Sequence, residues 1–370
     1  MHNILIGTRK GLFIYKKHAQ GWALTQKEFL GIPVNMVMAD PRDKSLYAVL
    51  LHGHFGTKIH RSTDNGQTWA EIATPQYPSD LPKEKRMSPD PNEEEWYQPK
   101  LEKIWSLTPG HASQPDVLWC GTIPGGLFKS TDKGNSWELV TALWNREERK
   151  QWFGGGEDYA GLHSICVHPT DPDDVLIGVS CGGAWHTPDG GQTWEVRSKG
   201  MFAEYMPPDQ RDNPIFQDPH RIVQCLKNPD TLWTQHHNGV FVSQDRGRNW
   251  SSIENLTPSA FGFAVCVHPH NPGIAWLVPA EKDEMRIPVD GKVIVNKTTD
   301  GGKTWNTIRT GLPQTDAYDI VFRHALDCDP EGNTLAFGST TGNVWVSEDQ
   351  GDSWSTLSNY LPPVYSIALT

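Results

Sequence analysis

Apolar residues along this chain fall in short runs, such as ILIGT, GLFIY, HSICVHP, VLIGVS, FAVCVHP and VYSIALT, each broken by Gly, Pro, Asp or Asn. No long stretch repeats its apolar residues every three to four positions, as an amphipathic helix would. Short apolar runs bounded by turn residues predict many short strands instead. The composition agrees, with 34 Gly, 28 Pro and 16 Trp among 370 residues.

One polar pattern punctuates these runs. The octapeptide [ST]-x-D-x-G-x-[STN]-W occurs as STDNGQTW (62–69), STDKGNSW (130–137), TPDGGQTW (187–194), SQDRGRNW (243–250), TTDGGKTW (298–305) and SEDQGDSW (347–354). A worn copy precedes them, where GLFIYKKHAQGW ends at Trp22 without the Asp and Gly. Closing tryptophans at Trp22, Trp69, Trp137, Trp194, Trp250, Trp305 and Trp354 mark a unit of about 50 residues, the length of one four-stranded propeller blade. The octapeptide is expected to span the turn between a blade's third and fourth strands. Its Asp accepts turn N–H groups, its Gly takes a positive φ, and its Trp anchors neighbouring blades.

Seven first strands can be counted, around Val34, Ile104, Ser164, Ile222, Ala264, Ile320 and Ser366. The last has no strands after it, while ILIGT, GLFIY and WALTQ are strands two to four without a first. The segment VYSIALT is therefore expected to complete the N-terminal blade, removing the open edges of a linear array. The expected fold is all-β: one seven-bladed propeller of four-stranded antiparallel blades over residues 1–370.

The net charge of −11 argues against nucleic acid and anionic membranes as partners. No window approaches the about 20 apolar residues of a membrane span. MHNILIGTRKGLFIY reads as two strands and not as a signal peptide. Cys120, Cys166, Cys181, Cys225, Cys266 and Cys328 form no CxxC pair and sit mostly in strand-like runs, as buried thiols in a reducing compartment do. A cytoplasmic location is expected.

The octapeptides resemble the Asp-box, or BNR, repeat. Over essentially its whole length the chain resembles Asp-box propellers, a group that includes photosystem II assembly-factor-like proteins, sortilin-type propellers, xyloglucan-active glycoside hydrolases and sialidases. The motif is structural, so the resemblance implies the fold and leaves the function open between glycosidase-like chemistry and an assembly scaffold. A sialidase would have six blades, an N-terminal Phe/Tyr-Arg-Ile-Pro segment, three arginines on a carboxylate and a Tyr/Glu pair. Here seven blades are counted, that segment is missing, and Arg9, Arg221 and Arg323 lack the supporting context. Xyloglucan enzymes place their site between two tandem propellers, and one propeller alone lacks that cleft.

Extra residues gather on the face opposite the octapeptides. Stretches 76–100, 142–161 and 200–219 join fourth strands to the next first strands, and 281–297 joins strands two and three of the sixth blade. Long loops on one side of a rigid scaffold suit a binding site, a cap over the channel or a contact with a second subunit, which leaves a homo-oligomer open. Aligned first strands bring one residue per blade to the mouth: Asn35, Lys103, His163, Arg221 or its neighbour His220, Phe263, Asp319 and Tyr365. Strand-two to strand-three turns add His52, His54, His236 and His237, with Glu157 close before His163.

Imidazoles in this number suit general acid–base chemistry or a divalent transition metal, and an ordinary hydrogen-bonded role for each stays open. In the first reading the mouth binds a polar, anionic or sugar-like molecule. Asn35, Lys103, Arg221, Tyr365, Trp152 and Tyr159 hold it. His163 or His220, oriented by Asp319 or Glu157, acts on it as in a hydrolase or lyase, and His52, His54, His236 and His237 are candidate metal ligands. In the second reading the same face is a non-catalytic scaffold that binds a protein segment.

Overall fold

The structure is a computed structural model that describes residues 2–85 and 95–370. Seven four-stranded antiparallel sheets make up the propeller. Blade 1 joins strands Asn3–Thr8, Gly11–His18 and Gly21–Glu28 to Val364–Leu369. The first strands of blades 2 to 6 are Val34–Ala39, Lys103–Pro109, Leu162–Val167, Pro219–Gln224 and Gly262–Val267. Blade 7 begins at Leu326–Cys328. Each first strand touches the next, and that of blade 7 touches Val364–Leu369, so the ring closes as the strand order predicts. Among the described residues no helix is long and apolar enough to cross a membrane.

Each octapeptide turn follows one hydrogen-bonding plan. At Asp64 the carboxylate accepts from Ser62 Oγ (2.8 Å), Thr68 N (2.9 Å) and Thr68 Oγ1 (2.6 Å), while Ser62 Oγ accepts the Gly66 N–H (2.9 Å). Asp132, Asp189, Asp245, Asp300 and Asp349 repeat this arrangement. The glycine answers to two demands. At Gly351 φ is +84°, and a Cβ would fall 2.7 Å from Nε1 of Trp276 in the preceding blade. That indole donates to Gln350 O (2.9 Å), so the turn of one blade locks onto the core of its neighbour. Two closing tryptophans also cross blades, Trp250 Nε1 donating to Arg197 O (2.8 Å) and Trp137 Nε1 to Ala73 O (2.9 Å), while Trp69, Trp194 and Trp305 donate to the glycine carbonyl of their own turn.

The opposite face is built by irregularity. In blades 2 to 6 the first strand slips register at its mouth end, between Val34 and Met36, Ile104 and Ser106, Leu162 and Ser164, Pro219 and Arg221, and Gly262 and Val265. Blade 1 slips at Tyr365, between Val364 and Ser366. These are β-bulges, which free a residue from the ladder and re-aim its side chain. The skipped residues are Asn35, Trp105, His163, His220, Phe263 with Ala264, and Tyr365.

Two expectations change here. In blade 3 the bulge frees Trp105, which joins Lys103 at the mouth. In blade 7 the first strand lies past Ile320, because residues 313–325 form an irregular approach outside any regular ladder, with an isolated bridge at His324–Ser366. Asp319 is therefore not a first-strand residue, and the inner edge of blade 7 is supplied by Phe322, Arg323 and His324.

Of the extra stretches, 142–161 carries a helical turn at Thr141–Trp144 and a 3-10 turn at Glu148–Gln151. Stretch 76–100 contributes a two-stranded ribbon, Glu84–Lys85 with Trp96–Tyr97, and its residues 86–94 lie outside the described residues.

Candidate functional site

The bulges and the loops above them enclose a cavity of about 390 Å³ at the channel mouth. Its wall takes Arg9 and Tyr365 from blade 1, Asn35 from blade 2, Lys103 and Trp105 from blade 3, and His220 and Phe263 from blades 5 and 6. Phe322, Arg323 and His324 complete the ring from blade 7. The loops add Gly155, Gly156, Glu157, Tyr159 and Arg286.

Four of these residues are cations. Lys103 pairs with Glu157 (2.9 Å) and Arg286 with Asp283 (2.5 Å). Arg9 is exposed at the rim. Arg323 differs from all three. Its guanidinium sits between Trp105 (4.8 Å) and Phe263 (5.3 Å), and its buried Nε has no hydrogen-bond partner among the described residues. A guanidinium held by aromatic faces and without an ion pair among the described residues is costly to keep desolvated, and an incoming anion would satisfy it.

Behind the cavity wall lies a second cluster. His220 Nε2 is 3.4 Å and His237 Nδ1 is 3.6 Å from Asp218 Oδ2. Asp218 and His220 are buried and His237 is partly exposed. The other carboxylate oxygen, Oδ1, accepts from Ser180 Oγ (2.9 Å) and Cys181 N (3.1 Å). His220 Nδ1 lies 2.6 Å from Gly262 O and its ring stacks on Phe263 at 4.6 Å. Burial pushes the Asp218 carboxyl up, but His220 and His237 at its side outweigh burial and hold it well below the usual range. Burial lowers His220, whereas at His237 the neighbouring Asp218 carboxylate outweighs burial and raises it.

The remaining sequence candidates occupy other positions. His163 is fully buried beneath Trp105 (5.5 Å), with Nδ1 at Ser164 Oγ (2.8 Å) and Nε2 unpartnered among the described residues. Burial drives its pKa well below the ordinary value, so the ring is neutral, and it does not line the cavity. Asp319 is locked by Ser339 Oγ, Thr341 Oγ1 and Asn343 Nδ2, and no histidine contacts it among the described residues. The carboxylate that stands beside His220 is that of Asp218, at 3.4 Å. Arg221 turns away from the mouth and donates to His163 O (3.1 Å), because the bulge aims its neighbour His220 at the cavity.

His236 has both ring nitrogens against backbone N–H groups, of Asp218 (3.0 Å) and Asn238 (3.0 Å), and burial lowers it to about 3. It is unavailable to a metal. His52 precedes the short 3-10 turn Gly53–Phe55 and His54 lies within it, exposed, and neither lines the mouth. Asn35 and Tyr365 do line it, with Asn35 Nδ2 donating to Ile104 O (2.5 Å). Trp152 belongs to a separate cavity of about 450 Å³ between the two long insertions, with Trp96, Tyr97 and Arg149, and Tyr159 lines both.

Asp218 is the residue that reading the sequence missed. Its signal was Asp-Pro-His at 218–220 facing His-His at 236–237. In a strand, positions two apart share a face, and pairing of Pro219 with His236 sets His237 beside Asp218.

The fold and its mouth define a seven-bladed β-propeller with a polar, loop-walled opening. No family model matches the chain. Among curated proteins it is similar to a probable oligoxyloglucan-reducing end-specific xyloglucanase of Neosartorya fischeri, 23% identical over 219 residues, which are 58% of this chain and 24% of that protein. Sortilin of Rattus norvegicus is 23% identical over 231 residues, 62% of this chain and 24% of sortilin. The matched region thus spans about a quarter of these relatives. A sialidase of Bacteroides fragilis is 24% identical over 219 residues, covering 52% of this chain and 39% of the sialidase.

Among solved structures, an ancestral GH74 enzyme superposes with a TM-score of 0.59 at 15% identity over 91% of this chain and 38% of its own. YCF48 from Cyanidioschyzon merolae gives 0.54 at 12% identity over 89% and 88%. YCF48 bound to a D1 peptide gives 0.51 at 14% identity over 91% and 94%. At these identities the likeness is one of fold.

Proposed function

We propose that the central mouth binds a small anionic molecule, such as a sugar acid, and that this binding is the protein's function. The observation that carries the reading is Arg323, a guanidinium facing the cavity with no carboxylate in ion-pair contact among the described residues, in a chain whose net charge is −11. Cations concentrated in one concave site of an otherwise acidic protein focus a field there that attracts anions. Trp105, Phe263 and Phe322 offer apolar faces to the ligand's carbon skeleton, and Asn35 and Tyr365 offer polar atoms. If the ligand is also transformed, hydrolysis or elimination would draw on Glu157 and His220, the two candidate catalytic groups that line the cavity. Six unpaired cysteines, five of them buried, support a cytoplasmic setting.

Glucuronate and galacturonate, with glucose as the neutral control, test the reading by calorimetry. Binding of either acid with no heat from glucose, and its loss in Arg323→Met, is the expected result. Equal binding by Arg323→Met, or no binding by wild type across uronates and small phosphates, would sink the proposal.

A second reading has its own support. A propeller of this size with a similar fold, YCF48, has been solved bound to a D1 peptide. An acidic protein segment would meet the same cations at the mouth. Binding of acidic peptides with no response to uronates would favour that reading.

A further inference from the structure

We infer that Asp218, His220 and His237 form a binding site for one divalent transition metal of the zinc type in the wall of the mouth. The inference stands on the geometry of these three side chains and goes beyond the anion reading, on which it does not depend.

Their ligand atoms all lie within 4.8 Å of one another. The two contacts to Asp218 Oδ2 are 3.4 and 3.6 Å. Those spacings exceed good N–H···O hydrogen bonds, which cluster at about 2.9–3.0 Å. They match the edge of a tetrahedron of ligands around a metal at about 2.0–2.2 Å from each, an edge of about 3.4 Å.

Hydrogen-bond bookkeeping leads to the same place. Gly262 O can only accept, so the 2.6 Å contact puts the proton of a neutral His220 on Nδ1. Nε2 is then a lone pair, and it faces a carboxylate oxygen, which also carries lone pairs. Two acceptors facing each other at 3.4 Å repel unless a second ring proton or a metal ion lies between them. With a metal there, the Nδ1–H to carbonyl bond is the outer-shell contact that orients a ligating imidazole. Asp218 is braced in the same way through Oδ1 by Ser180 and Cys181, and its backbone is pinned to the HHN turn through His236 Nε2 and His237 N (3.0 Å each).

The surroundings suit an ion. Tyr205, Phe261 and Phe263 pack their rings on the two histidines, giving an apolar shell. The cavity side stays open because position 155 is glycine. A Cβ there would fall 3.4 Å from Asp218 Oδ2 and 2.5 Å from Cys181 Sγ. Three protein ligands with one position toward a ligand cavity is the pattern of a reactive metal site, whereas structural sites are closed by four. Two imidazoles and a carboxylate suit zinc, cobalt, nickel or ferrous iron above magnesium or calcium, which prefer all-oxygen shells.

The test uses the full chain without a polyhistidine tag, stripped with chelator and titrated with Zn²⁺ alone, then with Co²⁺ as a spectroscopic probe. Wild type is expected to take up one equivalent, to show visible cobalt bands of a low-symmetry site, and to melt at higher temperature with the metal. His237→Ala, at a partly exposed position, and Asp218→Asn, which keeps the oxygen that accepts from Ser180 and Cys181, are each expected to bind at least about a hundredfold more weakly. His54→Ala, at the exposed rim, should match wild type. Two results would overturn the inference: no stoichiometric uptake by folded wild type, or unchanged affinity in both folded variants. Because no anion is present, neither result bears on the uronate experiment.

Discussion

The two faces of the wheel use the same chemical groups to opposite ends. On the octapeptide face each Asp serves one turn: its oxygens accept from the Ser or Thr two residues earlier and from the residue four later. The carboxylates of Asp64, Asp189 and Asp300 are held down to about 2, by side-chain hydrogen bonds foremost at Asp64 and Asp300, and at Asp189 by hydrogen bonds that outweigh burial. On the mouth face Asp218 is shared among two imidazoles and a loop, and Arg323 feels Asp218 and Glu157 only through space, with no ion pair among the described residues. Local satisfaction makes the first face repetitive and inert. Incomplete satisfaction on the second creates sites that only a ligand or ion completes.

Substitutions can break this contrast, and the largest effect is expected at Arg323. Arg323→Met should reduce uronate binding by at least about a hundredfold. It should also raise the melting temperature of the unliganded protein, because it replaces an unpaired, partly desolvated charge with an apolar chain. Next comes Ser243→Ala, which orphans the buried Gly247 N–H (2.8 Å to Ser243 Oγ) and removes a donor to Asp245. It should cost about 1–3 kcal/mol in denaturant unfolding while leaving metal and anion binding intact. A change in either binding would show that the two faces are coupled.

Asp327 gives a smaller, pH-dependent effect. Burial lifts its carboxyl to about 6, although Leu369 N donates to it (2.9 Å). Because the folded pKa lies above the unfolded one, stability is fully present below about 4 and is lost as pH rises through about 6. Asp327→Asn should therefore melt above wild type at pH 8 and alongside it below pH 4. The octapeptide aspartates carry the opposite sign. Their stabilisation is present above about 4 and fades as pH falls toward 2, so acid unfolding of Asp300→Asn should depend less on pH over that window.

The octapeptides made blade count and the octapeptide turns legible because each is a local signal repeated once per blade, and closure followed from the leftover strands at the two ends. Blade 7 broke the pattern. The run DIVFRH is as apolar as the other first strands, yet Asp319 is captured by Ser339, Thr341 and Asn343, so pairing starts only at Leu326. At the mouth, a bulge of one residue brought Trp105 in beside Lys103 and decided between Arg221 and His220. A register slip leaves no mark in residue types, because it is set by the loop that enters the strand. Asp218 was obscured for a related reason: it stands at the end of an insertion, and its partner His237 is reached only through the hairpin register.

The seam in blade 1 has a consequence for how the protein comes into being. Asn3 and Thr370 exchange hydrogen bonds, Thr370 N to Asn3 O (3.1 Å) and Asn3 N to Thr370 Oγ1 (3.1 Å), and the mouth takes Arg9 from one side of the seam and Tyr365 from the other. During translation six blades can pair their strands as they emerge, but the wheel stays a crescent until residue 369 has left the ribosome. The mouth as a continuous cavity is therefore formed in one step, at closure. A circularly permuted gene that moved the seam to another blade would change when that step occurs without changing the site itself.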